Sequence, residues 1–204
     1  GKGKGLGGRN NSWMEKLWPY VHNPEDFKEE VLDYDDKVVA IRDGYPKAQV
    51  HYLILSRDGT KDIFGLTGEH FKLVDHMRTF ALRLLHEKHA SATNPFRIGF
   101  HSVPSMNCLH MHVISTDFVS EGLKHANHWN SFQPPFFVDV QAMAKALLMN
   151  GECGVDTEAM ERFKNNGDLC CHRCGENFQR QFAKLQKHVK DCREEVKGVV
   201  YRYP

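Results

Sequence analysis

The 204-residue sequence contains no long hydrophobic run. None of its apolar stretches approaches the roughly 20 residues that a membrane-spanning helix needs. The N-terminus is rich in glycine and lysine and lacks the apolar segment of a secretory signal. These absences predict a soluble, intracellular protein that does not associate with membranes.

A large excess of one charge is also absent, since the net charge at pH 7 is only +1. The charges are nevertheless unevenly distributed. Residues 1–16 carry four basic residues and one acidic residue, residues 161–204 carry ten and six, and the segment between them is acidic. Two basic ends favour contact with a polyanion, although ordinary variation of surface charge explains such modest counts equally well.

Cysteine is scarce before the last 35 residues, which contain four of the six cysteines. A chain of this length without a secretory signal is not expected to depend on disulfide bonds. A C-x₂-C pair followed by an H-x₃-C pair instead fits a tetrahedral zinc site in a small finger. The predicted ligands are Cys171, Cys174, His188 and Cys192, and Cys170 is left over. Because four protein ligands leave no open position, we predict structural zinc and no catalytic metal.

The stretch of residues 105–115 has the alternating pattern of a strand. On that interpretation Cys108, His110 and His112 share one face, and the two imidazoles lie about 7 Å apart. The apolar residues between them are expected to face a core. Pro104-Ser105 predicts a bend whose backbone N–H groups can face an anion. An amphipathic strand with solvated histidines is the alternative.

Further segments around this strand complete a family pattern. They are Tyr45-Pro46-Lys47-Ala48 with His51, the run 100–106, Asp117-Phe118, and the run 128–132, His-Trp-Asn-Ser-Phe. Over residues 13–195 the sequence resembles the histidine-triad (HIT) superfamily, and within it the branch that acts on adenylated DNA. One departure is Cys108, which stands where the family's triplet has its first histidine.

The resemblance implies an α+β fold: an antiparallel-sheet HIT-like domain with flanking helices, followed by a small C-terminal ββα-type zinc finger. The expected division is a flexible N-terminus over residues 1–10, a catalytic domain with an N-terminal helix over 11–160, and a C2HC finger over 161–204.

The resemblance also implies an activity. Members of this branch remove AMP from 5′-adenylated DNA ends left by abortive ligation, through a covalent AMP–histidine intermediate, in nuclear DNA strand-break repair. DNA is then the partner, AMP the product, and the chain is expected to be a monomer. His110 is the expected nucleophile, since a neutral imidazole is competent near pH 7. His112 and Ser105 are expected to hold phosphate oxygens, and His51 and Lys47 to contact phosphate or protonate the leaving group.

The same resemblance implies a nucleoside site. Ile41 is expected to pack on the base, Asp43 to accept hydrogen bonds from the ribose hydroxyls, and Met106 to bind the nucleotide as well. The chemistry agrees, because one carboxylate can accept from both vicinal hydroxyls. Asp43 directly before Gly44 also suits an ordinary turn.

Candidate DNA contacts begin with a helix predicted from Asn11-Ser12, capped by Ser12 with Glu15 and ended by Pro19. Its Trp13, Lys16 and Leu17 suit stacking on a base at a DNA end. The alternative is that its apolar side chains pack on the core.

The other candidates lie in later segments. His128 and Trp129 belong to a polar, aromatic loop over 120–135, although Trp129 also suits a core. Lys184 and Lys187, on the predicted helix of the finger, suit phosphate contacts. A finger that only stabilises the fold is the alternative.

Two other functions stay open. One is a general HIT hydrolase of nucleoside phosphoramidates or dinucleotides, and the other is a non-catalytic DNA-end binder. Cys108 is not expected to act as a nucleophile, because no flanking basic residue lowers its pKa. Its replacement is not expected to abolish activity if a backbone carbonyl orients Nδ1 of His110.

Overall fold

The computed structural model describes residues 11–202, apart from the side chains of Asn11 and Ser12. The predicted flexible segment 1–10 and the predicted cap by Ser12 lie outside this described part. Within residues 11–202, no helix is both long and apolar enough to cross a membrane.

A six-stranded antiparallel sheet forms the centre of the fold, in the order β1-β2-β3-β5-β4-β6. Its strands are β1 Val31–Tyr34, β2 Val38–Arg42, β3 His51–Ser56, β4 Phe96–His101, β5 His110–Ser115 and β6 Phe137–Asp139. The helices around it are α1 Asn11–Met14, α2 Trp18–His22, α3 Phe71–His89, α4 Ala126–Ser131, α5 Val140–Asn150, α6 Thr157–Asn166 and α7 Phe182–Asp191. Short 3₁₀ turns lie at Pro24–Asp26, Ile63–Gly65 and Gly68–His70. The predicted α+β class is confirmed.

The two faces of the sheet bury different side chains, because side chains alternate along each strand. One face packs on α3 and α5 through the main core, which includes Ile54, Met111 and Val113. The opposite face carries the two histidines of β5, since His110 lies opposite Leu55 and His112 lies opposite Leu53 in the ladder. The predicted common face for these histidines is therefore confirmed.

The N-terminal helix differs from the prediction. Helix α1 ends at Met14, and α2 begins at Trp18 with Pro19 in its first turn. The expectation that Pro19 ends a single helix was wrong. Proline suits the first turn, where its missing N–H is not needed for a helical hydrogen bond.

Other differences concern short elements. Strand β6, which pairs with β4 before α5 starts at Val140, was not predicted. Strand β5 begins at His110, since Cys108 has a left-handed φ of 77° and residues before it form a bend. Helices α4 and α6 were not predicted.

The C-terminal module, which is the finger over residues 161–202, packs directly against the sheet domain. Its Leu169, Leu185 and Val189 share one apolar cluster with Ile114 and Phe118. Before α7, a single bridge joins Cys170 and Asn177. Because the module shares this cluster, its placement depends on contacts with the sheet domain as well as on its own residues.

Candidate active site

A cavity of about 480 Å³ lies over the histidine-bearing face of the sheet. Its lining includes every predicted catalytic residue: Lys47, His51, Ser105, His110 and His112. Part of one wall is the loop before α4, which approaches the chain at Pro46 closely. A Cβ on Gly122 would lie only 2.2 Å from the carbonyl oxygen of Pro46, so this approach requires glycine.

His110 is held in one tautomer by the backbone. Its Nδ1–H donates to the carbonyl oxygen of Cys108 at 2.8 Å. Nε2 then carries the free lone pair that a nucleophile requires. The left-handed conformation at Cys108 accompanies the bend that brings this carbonyl to the imidazole two residues later.

The Cys108 thiol has a different environment. It is fully buried in an apolar cluster with Leu53 and Leu55, and burial raises the pKa of this thiol to about 12. A thiol protonated at neutral pH is a poor nucleophile, as the sequence predicts for this residue.

A chain of hydrogen bonds assigns the protons of the next two histidines. The backbone N–H of Lys47 donates to Nδ1 of His51 at 3.2 Å, so the proton of His51 is on Nε2. That Nε2–H donates to Nδ1 of His112, which is 3.0 Å away. His112 therefore carries its own proton on Nε2, a buried atom with no partner among the described residues. This N–H is therefore a candidate donor for an anionic oxygen at the cavity floor.

Burial keeps these imidazoles neutral. It lowers the pKa of His51 to about 4, with Lys47 and His110 adding to the effect and Asp43 opposing it. The pKa of His110 is also lowered, chiefly by burial, and that of His112 lies well below 6.5 for the same reason. The site thus supplies neutral nitrogen at pH 7.

The predicted nucleoside residues are only partly at the cavity. Asp43 and Met106 line it, but Ile41 does not, since it is buried in the apolar cluster that contains Leu53 and Cys108. Leu53, directly opposite Ile41 in the ladder, lines the cavity instead. Asp43 also makes the turn contact, since its Oδ1 accepts from the N–H of Tyr45 at 2.6 Å.

The N-terminal helix places one aromatic side chain at the cavity. Trp13 is 41% exposed, lines the cavity and lies 5.5 Å from the Tyr45 ring. The Lys16 ammonium lies 4.4 Å from the centroid of the Trp13 ring. Leu17 is only 5% exposed and packs in the cluster around Cys108, so the expectation of a DNA contact there was wrong.

The other candidate DNA contacts also include both residues that line a cavity or groove and a residue that is buried. His128 lines the cavity, whereas Trp129 is 1% exposed and donates its Nε1–H to the Cys170 carbonyl at 3.1 Å. The expected contact of Trp129 with DNA is therefore corrected, because its side chain joins the finger to the sheet domain. Lys184 and Lys187 line a separate groove on α7.

The four predicted zinc ligands form one cluster. The ligand atoms of Cys171, Cys174, His188 and Cys192 lie within 4.8 Å of one another. Cys174 Sγ is 3.2 Å from His188 Nε2, a separation that suits two ligands of one tetrahedral ion. Glu176 lies 3.4 Å from the other nitrogen of His188 and can orient the ring. Cys170 lies outside the cluster, as predicted.

Comparison with known proteins agrees with both halves of the fold. The family model described as "Scavenger mRNA decapping enzyme C-term binding" matches residues 18–128, and that of the "C2HE / C2H2 / C2HC zinc-binding finger" matches residues 133–195. Aprataxin of Gallus gallus is 36% identical over 76% of the chain and 48% of its own length. The aprataxin-like protein of Schizosaccharomyces pombe is 32% identical over 90% of the chain and 82% of its own length.

A solved structure shows the same architecture. The crystal structure of the aprataxin orthologue Hnt3 in complex with DNA matches with a TM-score of 0.71 and 31% identity, covering 88% of this chain and 94% of that one. The chain belongs to the aprataxin family. It spans about half or less of the first curated relatives that it matches.

Within this aprataxin-family site, the sequence missed cavity residues on neighbouring elements, namely Tyr45, Leu53, His101 and Lys164. His101 packs against the predicted pair, with its ring centroid 4.1 Å from that of His112. The available signal was its place in the run that precedes the bend. Alternation within one strand cannot find it, because the pairing of β4 with β5 brings the two rings together.

Proposed function

We propose that this chain removes AMP from 5′-adenylated DNA ends left by abortive ligation, in DNA strand-break repair in the nucleus. The support is the state of His110, whose Nδ1–H is fixed by the Cys108 carbonyl while Nε2 is free in the cavity. The aprataxin orthologue Hnt3, which shares the fold, has been crystallised with DNA.

The reaction has two displacements. Nε2 of His110 attacks the phosphorus of AMP, and the bond between that phosphorus and the oxygen of the DNA 5′-phosphate breaks. The DNA leaves with its phosphate, and AMP remains on His110 as a phosphoramidate. Water then forms the new P–O bond as the N–P bond breaks, which releases AMP and restores the imidazole.

The remaining cavity residues have supporting roles in this proposal. The Nε2–H of His112 and the bend at Ser105 hold the non-bridging oxygens as negative charge develops. Lys47 and His51 contact the phosphates and assist protonation of the leaving group. Asp43 and Met106, with Leu53, hold the nucleoside. Every step uses groups of this chain, and the proposal includes no catalytic metal.

DNA contacts lie outside the reacting centre. We assign stacking on the terminal base to Trp13, assisted by Lys16, and contact near the 5′ end to His128. Lys184 and Lys187 are assigned to the phosphates of the flanking duplex. The zinc is structural, the protein acts as a monomer, and the catalytic domain over 11–160 is followed by the finger over 161–204.

Trapping the intermediate tests the proposal. The protein is mixed with 5′-adenylated nicked DNA, quenched in alkali, where a phosphoramidate survives, and mapped by mass spectrometry. AMP is expected on His110 and is expected to be absent from a folded His110→Ala variant, whereas His86→Ala, on α3 at the opposite face of the sheet, behaves as wild type. An adduct on another residue, or release of AMP by His110→Ala, contradicts the mechanism.

A further inference from the structure

The cavity includes a cation that comes from outside the sheet domain. Lys47 and Lys124 belong to loops beside the sheet, whereas Lys164 belongs to α6, inside the segment matched by the zinc-finger family model. Lys164 therefore brings a positive charge from the C-terminal module into the cavity that contains His110. None of the roles assigned above uses this charge.

A series of ring contacts connects Lys164 to the catalytic strand. Its ammonium lies 5.1 Å from the centroid of Phe136, whose ring is 5.5 Å from that of His101. His101 in turn stacks 4.1 Å from His112. The positive charge of Lys164 also affects His101. Burial is the main cause of the low pKa of His101, and Lys164 is among the charges that lower this pKa further.

The contacts of Lys164 place it at one side of the cavity. Asp43 follows β2 and Leu53 belongs to β3, at the nucleoside end, and the catalytic histidines are on β5. His101 is on β4, the next strand across the sheet, and Lys164 approaches it through the ring of Phe136. With the nucleoside held at Asp43 and Leu53, the second phosphate of an adenylated end would extend past His110 towards this side.

We propose that Lys164 binds the 5′-phosphate of the DNA, the leaving group of the first displacement. The inference rests on the proposed function and adds a residue that distinguishes a phosphorylated DNA end from a smaller leaving group. An ammonium beside this phosphate stabilises the charge that develops as the P–O bond breaks. The zinc-finger module thereby contributes to the reacting centre as well as to binding of the duplex.

Hydrogen bonds from α4 define the position of this lysine. The buried amide of Asn130, on α4, donates to the carbonyl oxygens of Gly167 at 3.0 Å, Phe163 at 3.2 Å and Lys164 itself at 3.5 Å. Helix α4 also brings His128 and Ser131 to the cavity. The backbone of Lys164 is thus fixed to an element of the same wall.

In the free protein the ammonium is paired with Glu161, at 2.6 Å. The Lys164 side chain keeps 22% of its exposure, so the pair is open to exchange. In the adenylated end this phosphate carries one negative charge, and it gains a second as the P–O bond breaks. The leaving phosphate then attracts an ammonium more strongly than one carboxylate does, so it is expected to replace Glu161 as the partner of Lys164.

Binding of DNA ends tests the inference without catalysis. Fluorescence anisotropy compares a nicked duplex with a 5′-phosphate at the nick against the same duplex with a 5′-hydroxyl. Wild type is expected to prefer the phosphate by about tenfold, the size of one charge-assisted hydrogen bond. Lys164→Gln removes most of that preference, and Lys164→Arg keeps most of it. Arg162→Gln is the matched control, because Arg162 is on the same helix, exposed and outside the cavity lining.

Turnover gives a second readout on the same variants. Lys164→Gln should lower kcat/KM for adenylated DNA about tenfold and leave that for adenosine 5′-phosphoramidate, which has no second phosphate, within twofold. Glu161→Gln, which releases the ammonium, should keep or increase the phosphate preference.

The outcomes are separable. Equal affinity of wild type for the two duplexes, or a Lys164→Gln variant that keeps the full preference, overturns the role of Lys164. Equal loss on both turnover substrates also overturns it, because that pattern indicates a structural defect. A wild-type protein that prefers the 5′-phosphate but forms no AMP–His110 adduct contradicts the proposed function instead.

Discussion

At residue 108 the backbone and the side chain have different environments. The carbonyl of Cys108 accepts the Nδ1–H of His110, whereas the thiol packs among apolar side chains and approaches the Ser56 carbonyl at 3.6 Å. A substitution that preserves the left-handed backbone therefore preserves the tautomer of His110, the proposed nucleophile. This explains how a chain with cysteine in place of the first triplet histidine retains the geometry of the site.

The first prediction concerns Cys108→Ser. We expect kcat/KM for adenylated DNA to stay within about threefold of wild type, because the carbonyl is unchanged. The free energy of unfolding should fall by about 1–2 kcal/mol, since a hydroxyl is buried in an apolar cluster. Steady-state kinetics and urea unfolding provide the two measurements. Loss of turnover by a stable variant would show that the side chain orients His110.

The second prediction follows from the low pKa values of the site. Burial lowers the pKa of His110 below 6.5, so its attacking neutral form persists to a lower pH than for an exposed histidine. The apparent pKa of the acid limb, in the profile of kcat/KM against pH, should lie below 6.5. A limb at or above that value would contradict the assignment.

The free energy of unfolding should also decrease as the pH falls. His51, with a pKa of about 4 when folded and 6.5 when unfolded, binds its proton more readily in the unfolded chain. Its contribution to stability is complete above pH 6.5 and is lost as pH falls towards 4, by up to about 1.4 kcal/mol per pH unit. Urea unfolding across this range should show the decline. A His51→Phe variant should show a shallower slope, and an equal slope would point to other groups.

At the scale of elements, helix α1 is joined to the bend before the catalytic strand. The N–H of Asn107 donates to the Met14 carbonyl at 2.8 Å, and the Asn107 amide donates to the Glu15 carboxylate. These bonds hold Trp13 at the cavity although much of its ring is exposed.

The third prediction is that Trp13→Ala weakens binding of nicked DNA about tenfold, the effect of losing one stacked base. Turnover of adenosine 5′-phosphoramidate and the thermal midpoint should change little. Tyr34→Ala, a similarly exposed aromatic on β1 outside the cavity lining, is the control and should bind as wild type. Equal effects of both substitutions on affinity would argue against stacking.

Helix α4 connects the cavity with the finger. Successive residues on it point to different partners: His128 lines the cavity, Trp129 contacts Cys170, and Asn130 binds the carbonyls at the end of α6.

The fourth prediction is that Asn130→Ala lowers the free energy of unfolding by about 2 kcal/mol, because buried carbonyl groups lose their donor. Asn165→Ala, an exposed amide on α6, should cost under about 0.5 kcal/mol. Urea unfolding of both variants decides, and similar losses would contradict the assignment.

The same elements show how far sequence alone reaches. Alternation predicts β5 and the common face of its histidines, since that pattern is local to one strand. Alternation does not identify His101, which is on another strand, and the resemblance points to Ile41 where Leu53 lines the cavity, because which residue reaches the cavity depends on the pairing of neighbouring strands. Ligand spacing predicts the zinc cluster, but the burial of Trp129 arises only when the finger packs on the sheet domain.

At the scale of the whole molecule, the finger and the catalytic cavity share one apolar cluster. Leu185 on α7 belongs to it together with Phe132, which lines the cavity beside His51 and His112. His172 is next to a zinc ligand in the sequence. Its Nε2 lies 2.8 Å from the carbonyl oxygen of Thr116, the residue directly after β5. Loss of the metal should therefore disturb a site that contains none of the zinc ligands.

The fifth prediction concerns Cys174→Ser, which removes one thiolate from the cluster. We expect this variant to lose bound zinc, to unfold at a lower temperature and to hydrolyse adenosine 5′-phosphoramidate more slowly, although that substrate is too small to need a duplex-binding finger. The reason is that a short metal-organised module loses its packed shape without the ion, and its shared cluster then no longer supports Phe132 and α4. Cys170→Ser is the matched control, because Cys170 is exposed and lies outside the ligand set, and it should keep one zinc per chain and full activity. Zinc content by atomic emission, the thermal midpoint and small-substrate turnover measure the three effects. A zinc-free Cys174→Ser protein with unchanged turnover would mean that the finger serves DNA binding alone.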